Sequence, residues 1–252
     1  KMLTKVFLIL CSCLALVATA GLPTKPNSLG IIGGKTTNIK KHPYQVTVMS
    51  DCSGVILNKR WILSLASCVE ASTYHIQDYS IRAGANTHTK GGKLYQLEEA
   101  IVHSMYNITT RVYDFCLLKT KEPIKFNKKT KSIQYSKNPL KTGARAIVSG
   151  WGQHGDGNET FAFREIALYG YDFVTCKQRY SGNVRDSMIC AISKNSKEGP
   201  CLWDWGDPLV AKNKLYGMYA GWLFQCPSAE YPSVFNDVSA VAEWIQKTTG
   251  IH

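Results

Sequence analysis

Acidic residues are scarce in this chain: 18 Asp and Glu stand against 30 Lys and Arg, a formal net charge of +12 over 252 residues. That imbalance directs attention to anionic partners. After the first twenty residues no apolar run approaches the ~20 residues that a bilayer-spanning helix needs, so no membrane span is expected beyond that point. No CxxC or HxxxH spacing occurs. The cysteines and histidines therefore give no metal signature, and no cofactor is expected. No internal repeat is visible, and nothing in the composition suggests disorder, collagen or a coiled coil. What remains is ordinary globular material, 44% apolar and 19% charged, enough to bury a core in one large domain or two small ones.

The nine cysteines are read through the chain's first segment. Lys5 precedes the apolar run Val6 to Val17, and Ala18-Thr19-Ala20 supplies small residues for cleavage. This pattern reads as a secretory signal over residues 1–20, followed by a polar spacer over 21–30 with Pro23 and Pro26. Cys11 and Cys13 would leave with the signal, so seven cysteines enter an oxidising compartment. Six of them can form three bridges, with the pairing left open by spacing alone. Lys1, Lys5 and Lys25 precede residue 31 and no acid does, so the chain from Ile31 carries nine more cations than acids.

From there the pattern is β. Short apolar or alternating runs recur at Tyr44–Met49, Gly54–Leu57, Trp61–Leu65, Tyr95–Val102, Phe115–Leu118, Ala144–Ser149, Glu165–Tyr171, Pro208–Val210 and Leu215–Ala220. Gly, Asn, Asp and Lys turns separate them, which predicts a sandwich or barrel and not βαβ units. Asp237 is placed to cap a final helix carrying Val238, Val241 and Ile245 on one face. The lysine-rich stretch 119–145, with Pro123 and Pro139, reads as a linker between two β halves.

Seven short motifs stand in register along this frame. They are Ile31-Ile-Gly-Gly34, Tyr44-Gln45-Val46, Trp61 to Cys68 (WILSLASC), Tyr113 to Lys119 (YDFCLLK), Ser149-Gly-Trp-Gly152, Cys201 to Val210 (CLWDWGDPLV) and Gly217 to Trp222 (GMYAGW). Together with Pro232-Ser-Val-Phe235 they resemble the trypsin/chymotrypsin-like serine proteases from Ile31 to the last helix. The resemblance implies an all-β fold of two six-stranded antiparallel barrels with a C-terminal helix, over residues 31–252. It also implies the disulfides Cys52–Cys68, Cys176–Cys190 and Cys201–Cys226, leaving Cys116 as a buried free thiol.

The chemistry departs from the family pattern. Hydrolysis by this fold needs a hydroxyl nucleophile, an imidazole base and a carboxylate that orients the base. The family's histidine position is Ser67 here, its nucleophile position is Trp205, and only the carboxylate, Asp114, is retained. A glycine that helps cradle the oxyanion has become Trp203, and Asp207 occupies a further glycine position of the same motif. The acid that gives trypsin its basic-residue preference corresponds to Gly199. Ala220-Gly221-Trp222 and Ser233 replace the residues that line the substrate channel, so Trp203, Trp205 and Trp222 are expected to fill the cleft. The six histidines, His42, His75, His88, His103, His154 and His252, read as solvated loop residues.

In the family, a freed N-terminal isoleucine pairs with the acid before the nucleophile; Ile31 and Asp204 match those partners. Gly30 precedes Ile31 where trypsin-type activation needs Lys or Arg. Either another protease cuts that bond, or it stays intact and Asp204 needs a different partner. The non-basic activation site and altered triad are similar to the scabies mite inactivated serine protease paralogues, related to mite group 3 allergens. That resemblance implies a secreted protein without proteolytic activity that inhibits host complement or a related cascade. Lys119, Lys121, Lys125, Lys128, Lys129, Lys131, Lys137, Lys141 and Arg145 share their stretch with one acid, Glu122. They read as a solvated linker or as a surface for an anionic partner such as a sulfated glycan, with nucleic acid disfavoured for want of a reading motif. Asn107-Ile-Thr109 and Asn158-Glu-Thr160 are glycosylation sequons.

Overall fold

The structure is a computed structural model that describes residues 31–49, 52–70, 75–152, 162–221, 226, 228 and 230–251. The proposed signal and spacer, Trp222, His154, Asn158 and His252 lie outside the described residues.

The first barrel is built from β2 (Gln45–Val48), β3 (Cys52–Ile56), β4 (Trp61–Ser64), β5 (Ser80–Ala83), β6 (Lys93–Val102) and β7 (Cys116–Thr120). It closes in the order β2-β3-β4-β7-β6-β5 with every pairing antiparallel. Closure leaves no strand edge in the ring. Inside lie Val46, Val55, Leu63, Ile81, Leu97 and Leu117, all fully buried. β6 is long and half exposed, so it alternates polar with buried Tyr95 and Leu97.

The second ring contains β9 (Arg145–Gly150), β10 (Arg164–Gly170), β11 (Met188–Ile192), β14 (Ser233–Asp237), β13 (Lys214–Tyr219) and β12 (Pro208–Ala211), and β9 closes it by pairing with β10. β1 (Lys35–Thr36) pairs with one end of β10, and β8 (Gln134–Tyr135) runs parallel to β13. The fold is thus two closed six-stranded antiparallel barrels, as the sequence resemblance implies.

Two further elements fix the chain's path. Helix α1 (Ser67–Glu70) begins at the family's histidine position, and α2 (Phe173–Arg179) is capped by Asp172, which accepts the Thr175 amide. At the end of the chain Asp237 caps a 3-10 turn, Val238–Val241, by accepting the Ser239 amide. Helix α3 (Ala242–Thr249) starts only after that turn and stops at Gly250, whose φ of 71° gives the left-handed exit. The expectation that Asp237 caps the helix itself is corrected: the intervening turn tightens the entry so that Val238, Val241 and Ile245 still reach the first barrel's core.

The disulfides join Cys52 to Cys68, Cys176 to Cys190 and Cys201 to Cys226, the pairs that the resemblance implies. Closing loops of this length contributes about 3 kcal/mol each in the chain-entropy account. Cys116 is fully buried in β7, and burial raises its thiol well above the ordinary range. A thiol held protonated in a core is an inert apolar residue.

Candidate active site

Ser67 enters the site from the first barrel at the start of α1, behind the Cys52–Cys68 bridge. Asp114 precedes β7 and is fully buried. Its two oxygens are both engaged by Ser67: Oδ1 accepts the Ser67 amide at 2.7 Å, and Oδ2 accepts the Ser67 hydroxyl at 2.7 Å. Hydrogen bonds to an ionised acceptor are the strong ones, and two of them stabilise a buried carboxylate that would otherwise be costly. The hydroxyl therefore spends its one proton on Asp114. No imidazole stands between them.

The 203–207 turn, expected to match the family's nucleophile turn, is held in the second barrel just before β12. The Ser53 amide donates to the Trp205 carbonyl at 2.8 Å, tying this turn to β3. A β-carbon at Gly206 would collide with the Ser53 carbonyl, so only glycine allows the two barrels to approach this closely. Trp205 is half-buried against the first barrel's core, and its indole N–H lacks an acceptor among the described residues. The ring lies against Gly221, where an added β-carbon would stand 2.8 Å from Trp205 Cδ1. Trp203 retains a glycine-like φ of 69° although it carries a side chain. That conformation costs about 1–2 kcal/mol for an L-residue. The two indoles pack with centroids 5.4 Å apart, and Trp203 stays 40% exposed at the rim beside exposed Leu202.

Below these indoles lies a buried acidic pair. Asp204 Oδ2 accepts the Cys201 amide at 2.9 Å, and Asp207 Oδ1 accepts Gln45 Nε2 at 3.1 Å. Gln45 is itself fixed by Ser149, whose hydroxyl donates to Gln45 Oε1 and whose carbonyl accepts Nε2. The remaining oxygens, Asp204 Oδ1 and Asp207 Oδ2, are buried with no hydrogen-bond partner among the described residues. Burial raises both groups above the usual carboxylate range, and the charge of Asp204 adds to this at Asp207. Room for Asp207 comes from β9, because a β-carbon at Gly150 would fall on its carboxylate.

The other anticipated residues are placed as follows. Ile31 is buried in the second barrel's core, and the neighbouring Ile32 pairs with Gly199 through both backbone hydrogen bonds, at 2.8 and 3.0 Å. Gly199 brings no charge to this position. Ser233 is buried in β14 with its hydroxyl unpaired among the described residues. Asn107 is exposed, and its side-chain oxygen accepts the Thr109 and Thr110 amides.

Two histidines overturn the expectation of solvated loops. His42 is buried, its Nε2 2.7 Å from Glu165 Oε2 and its Nδ1 3.0 Å from the Tyr44 hydroxyl. Burial lowers the His42 pKa. At Glu165 burial raises the carboxyl, but hydrogen bonds from His42, Thr37 and Lys35 prevail and hold it at about 2. His103 is buried against Tyr113 and Trp244, and burial lowers its pKa too. Neither histidine has a hydrogen bond to Ser67, Asp114 or the 203–207 turn. Their roles are tertiary, and short loop context around each gave no sign of the partner.

Among the described residues no cluster of metal-ligating side chains occurs, and no helix is long and apolar enough to cross a membrane.

Comparison with known proteins gives the same frame. The trypsin family model matches residues 31–245. Trypsin from Sarcophaga bullata is 31% identical, the alignment covering 93% of this chain and 95% of that protein. The vitellin-degrading protease of Bombyx mori is 30% identical over 97% and 95%. Among solved structures, neuropsin, a serine protease expressed in the limbic system of mouse brain, superposes with a TM-score of 0.75 at 26% identity, covering 86% of this chain and 99% of its own. With its two closed barrels and three bridges, the chain belongs to the trypsin family.

Proposed function

We propose that this protein is a secreted, non-catalytic member of the trypsin family that acts by binding, and that it inhibits a host proteolytic cascade such as complement. The observation that carries the reading is the Ser67–Asp114 contact: the carboxylate that would orient a base is occupied by a serine amide and hydroxyl. Opposite it stands Trp205, whose indole has no lone pair for acyl transfer. Trp203 and Trp205 pack against each other where the family pattern has a glycine and the nucleophile, and Gly199 offers no charge for a basic side chain. The assignment to a cascade rests on the sequence resemblance to the scabies mite paralogues. Secretion is supported by the three bridges, which persist in oxidising compartments.

Two measurements test the two halves of the proposal. Purified protein at high concentration should neither turn over peptide or ester substrates nor take up a serine-directed probe; turnover or labelling would refute the non-catalytic reading. Added to serum at micromolar concentration, it should lower complement lysis and deposition in proportion to dose. An unchanged serum response would remove the complement assignment and leave the fold and the blocked site standing.

A further inference from the structure

A large cavity of the described molecule lies apart from Ser67, Asp114 and the 203–207 turn, none of which lines it. It is a groove of about 1120 Å³ at one end of the second barrel, bounded by the chain from Gln134 to Lys141, by Ala144 and Arg145 at the start of β9, and by the β12–β13 hairpin with Tyr216. Five cations line it, Lys137, Lys141, Arg145, Lys212 and Lys214, and no acid does. All five are exposed.

Their isolation is the informative feature. Elsewhere this chain's few acids neutralise nearby cations: Glu98 holds Arg60 and Lys119, Glu122 holds Lys93, Asp186 holds Lys177, Glu243 holds Lys247 and Glu165 holds Lys35. None of the groove's five cations makes an ion pair among the described residues, and Lys137 reaches only the neutral Gln246 side chain at 3.5 Å. Like charges gathered without counter-charge repel one another, so an anionic ligand gains from every one of them.

The hairpin holds two of these cations in a fixed direction. Lys212 and Asn213 form a two-residue loop with both φ values positive, 47° and 58°, between the paired Ala211 and Lys214. Such turns favour Asn, Asp and Gly. A lysine accepts the left-handed strain here and stands over the groove. Sequence separation hid the cluster, since Lys212 and Lys214 lie some seventy residues from Lys137 and Lys141. The basic stretch 119–145 is in fact divided: Lys119 is committed to Glu98 and Glu99 on the first barrel, Lys128, Lys129 and Lys131 do not line the groove, and only its last three cations do.

We infer that this groove is a binding site for a linear sulfated polysaccharide. The volume lies at or above the range of small-molecule pockets, which runs to about 1000 Å³, and suits several residues of a chain. Four of its five cations are lysines, compact point charges that meet a sulfate from any direction, whereas carboxylate recognition favours the planar fork of arginine. Tyr216, Pro139 and Leu140 add apolar faces against which sugar rings can lie. The site is remote from the Ser67–Trp205 region and independent of whether that region is catalytic.

The test compares two variants of equal charge change on a heparin column and in salt titrations. One is Lys137→Glu with Lys141→Glu and Lys212→Glu; the other is Lys128→Glu with Lys129→Glu and Lys131→Glu. The parent protein should be retained at physiological ionic strength, about 0.15 M. The groove variant should lose that retention, with the log–log salt slope reduced by roughly two to three, while the linker variant keeps most of it. Desulfated heparin should not compete. Release of the parent below physiological salt, or an equal loss in both variants, overturns the site. Competition by polyglutamate or DNA as strong as by heparin, charge for charge, overturns the glycan assignment in favour of an acidic peptide or nucleic acid. None of these readouts involves serum or protease substrates, so their failure and that of the proposed function are separable.

Discussion

At Ser67 and Asp114 one substitution changes both the chemistry and the local energetics. The Ser67 hydroxyl reaches a fully buried carboxylate, so Ser67→Ala should lower stability by about 2 kcal/mol, the cost of losing a charge-assisted hydrogen bond, as read from a denaturant midpoint. An unchanged midpoint would mean that the bond contributes nothing. The Asp204–Asp207 pair predicts a pH dependence. Facing it are Gln45, Ser53, the Cys201 amide and the Tyr219 phenol, which burial keeps neutral; no cation faces it among the described residues. Burial moves Asp204 up to about 7, so its proton is bound more tightly in the folded protein than in the unfolded chain. That contribution is complete below the unfolded value of about 3.9 and is lost as pH rises through the folded one. Stability of the protein with Gly30–Ile31 intact should therefore fall as pH rises from about 4 to about 7, by up to about 1.4 kcal/mol per pH unit from Asp204. Asp207→Asn should flatten the fall, because it removes one of two buried acids whose charges oppose each other's ionisation. Equal slopes in parent and variant would show that the two carboxyl groups titrate independently.

The strand elements were largely legible, and the exceptions have physical causes. Each of the nine anticipated strand runs overlaps an observed strand, because half-buried alternation and glycine-rich turns are local properties. The strands left out, β1, β5, β8, β11 and β14, are short, and their pairing is set by neighbours distant in sequence: β1 joins β10, β8 joins β13, β5 joins β2 and β6, and β14 joins β11 and β13. The candidate site divides the same way. Ser67, Trp203, Trp205 and Asp207 were named from the motifs around them. The Ser67 bonds to Asp114, the mutual burial of Asp204 and Asp207, and the burial of His42 by Glu165 were not, since each depends on tertiary approach. One contact between elements makes this concrete. Asp207, ahead of β12, occupies the place a side chain on Gly150 of β9 would take. Gly150→Ala should destabilise the protein by about 1–3 kcal/mol through overpacking. In an Asp207→Gly background the same change should cost much less, and the coupling would appear as non-additivity in a double-mutant cycle. Additive costs would show that Asp207 does not fill that space.

On the scale of the whole molecule, the proposed non-catalytic reading draws on both barrels. Ser67 and Asp114 come from the first barrel, and the 203–207 turn comes from the second, so restoring one half leaves the other intact. Even Ser67→His with Trp205→Ser would return only the triad. Trp203 would still cover the turn in its strained backbone, the Asp204–Asp207 pair would still lie beneath it, and Gly199 would still lack a charge for a basic side chain. Loss of a single oxyanion donor already costs about 10²–10³ in kcat. The double variant should therefore hydrolyse peptide substrates at least about a hundredfold more slowly than a trypsin of the same fold. Adding Trp203→Gly with Asp207→Gly should raise that rate further, since the geometry around the oxyanion would then be that of the family. Trypsin-like turnover from Ser67→His with Trp205→Ser alone would show that the tryptophan and acidic replacements are passengers and that only the triad had been lost.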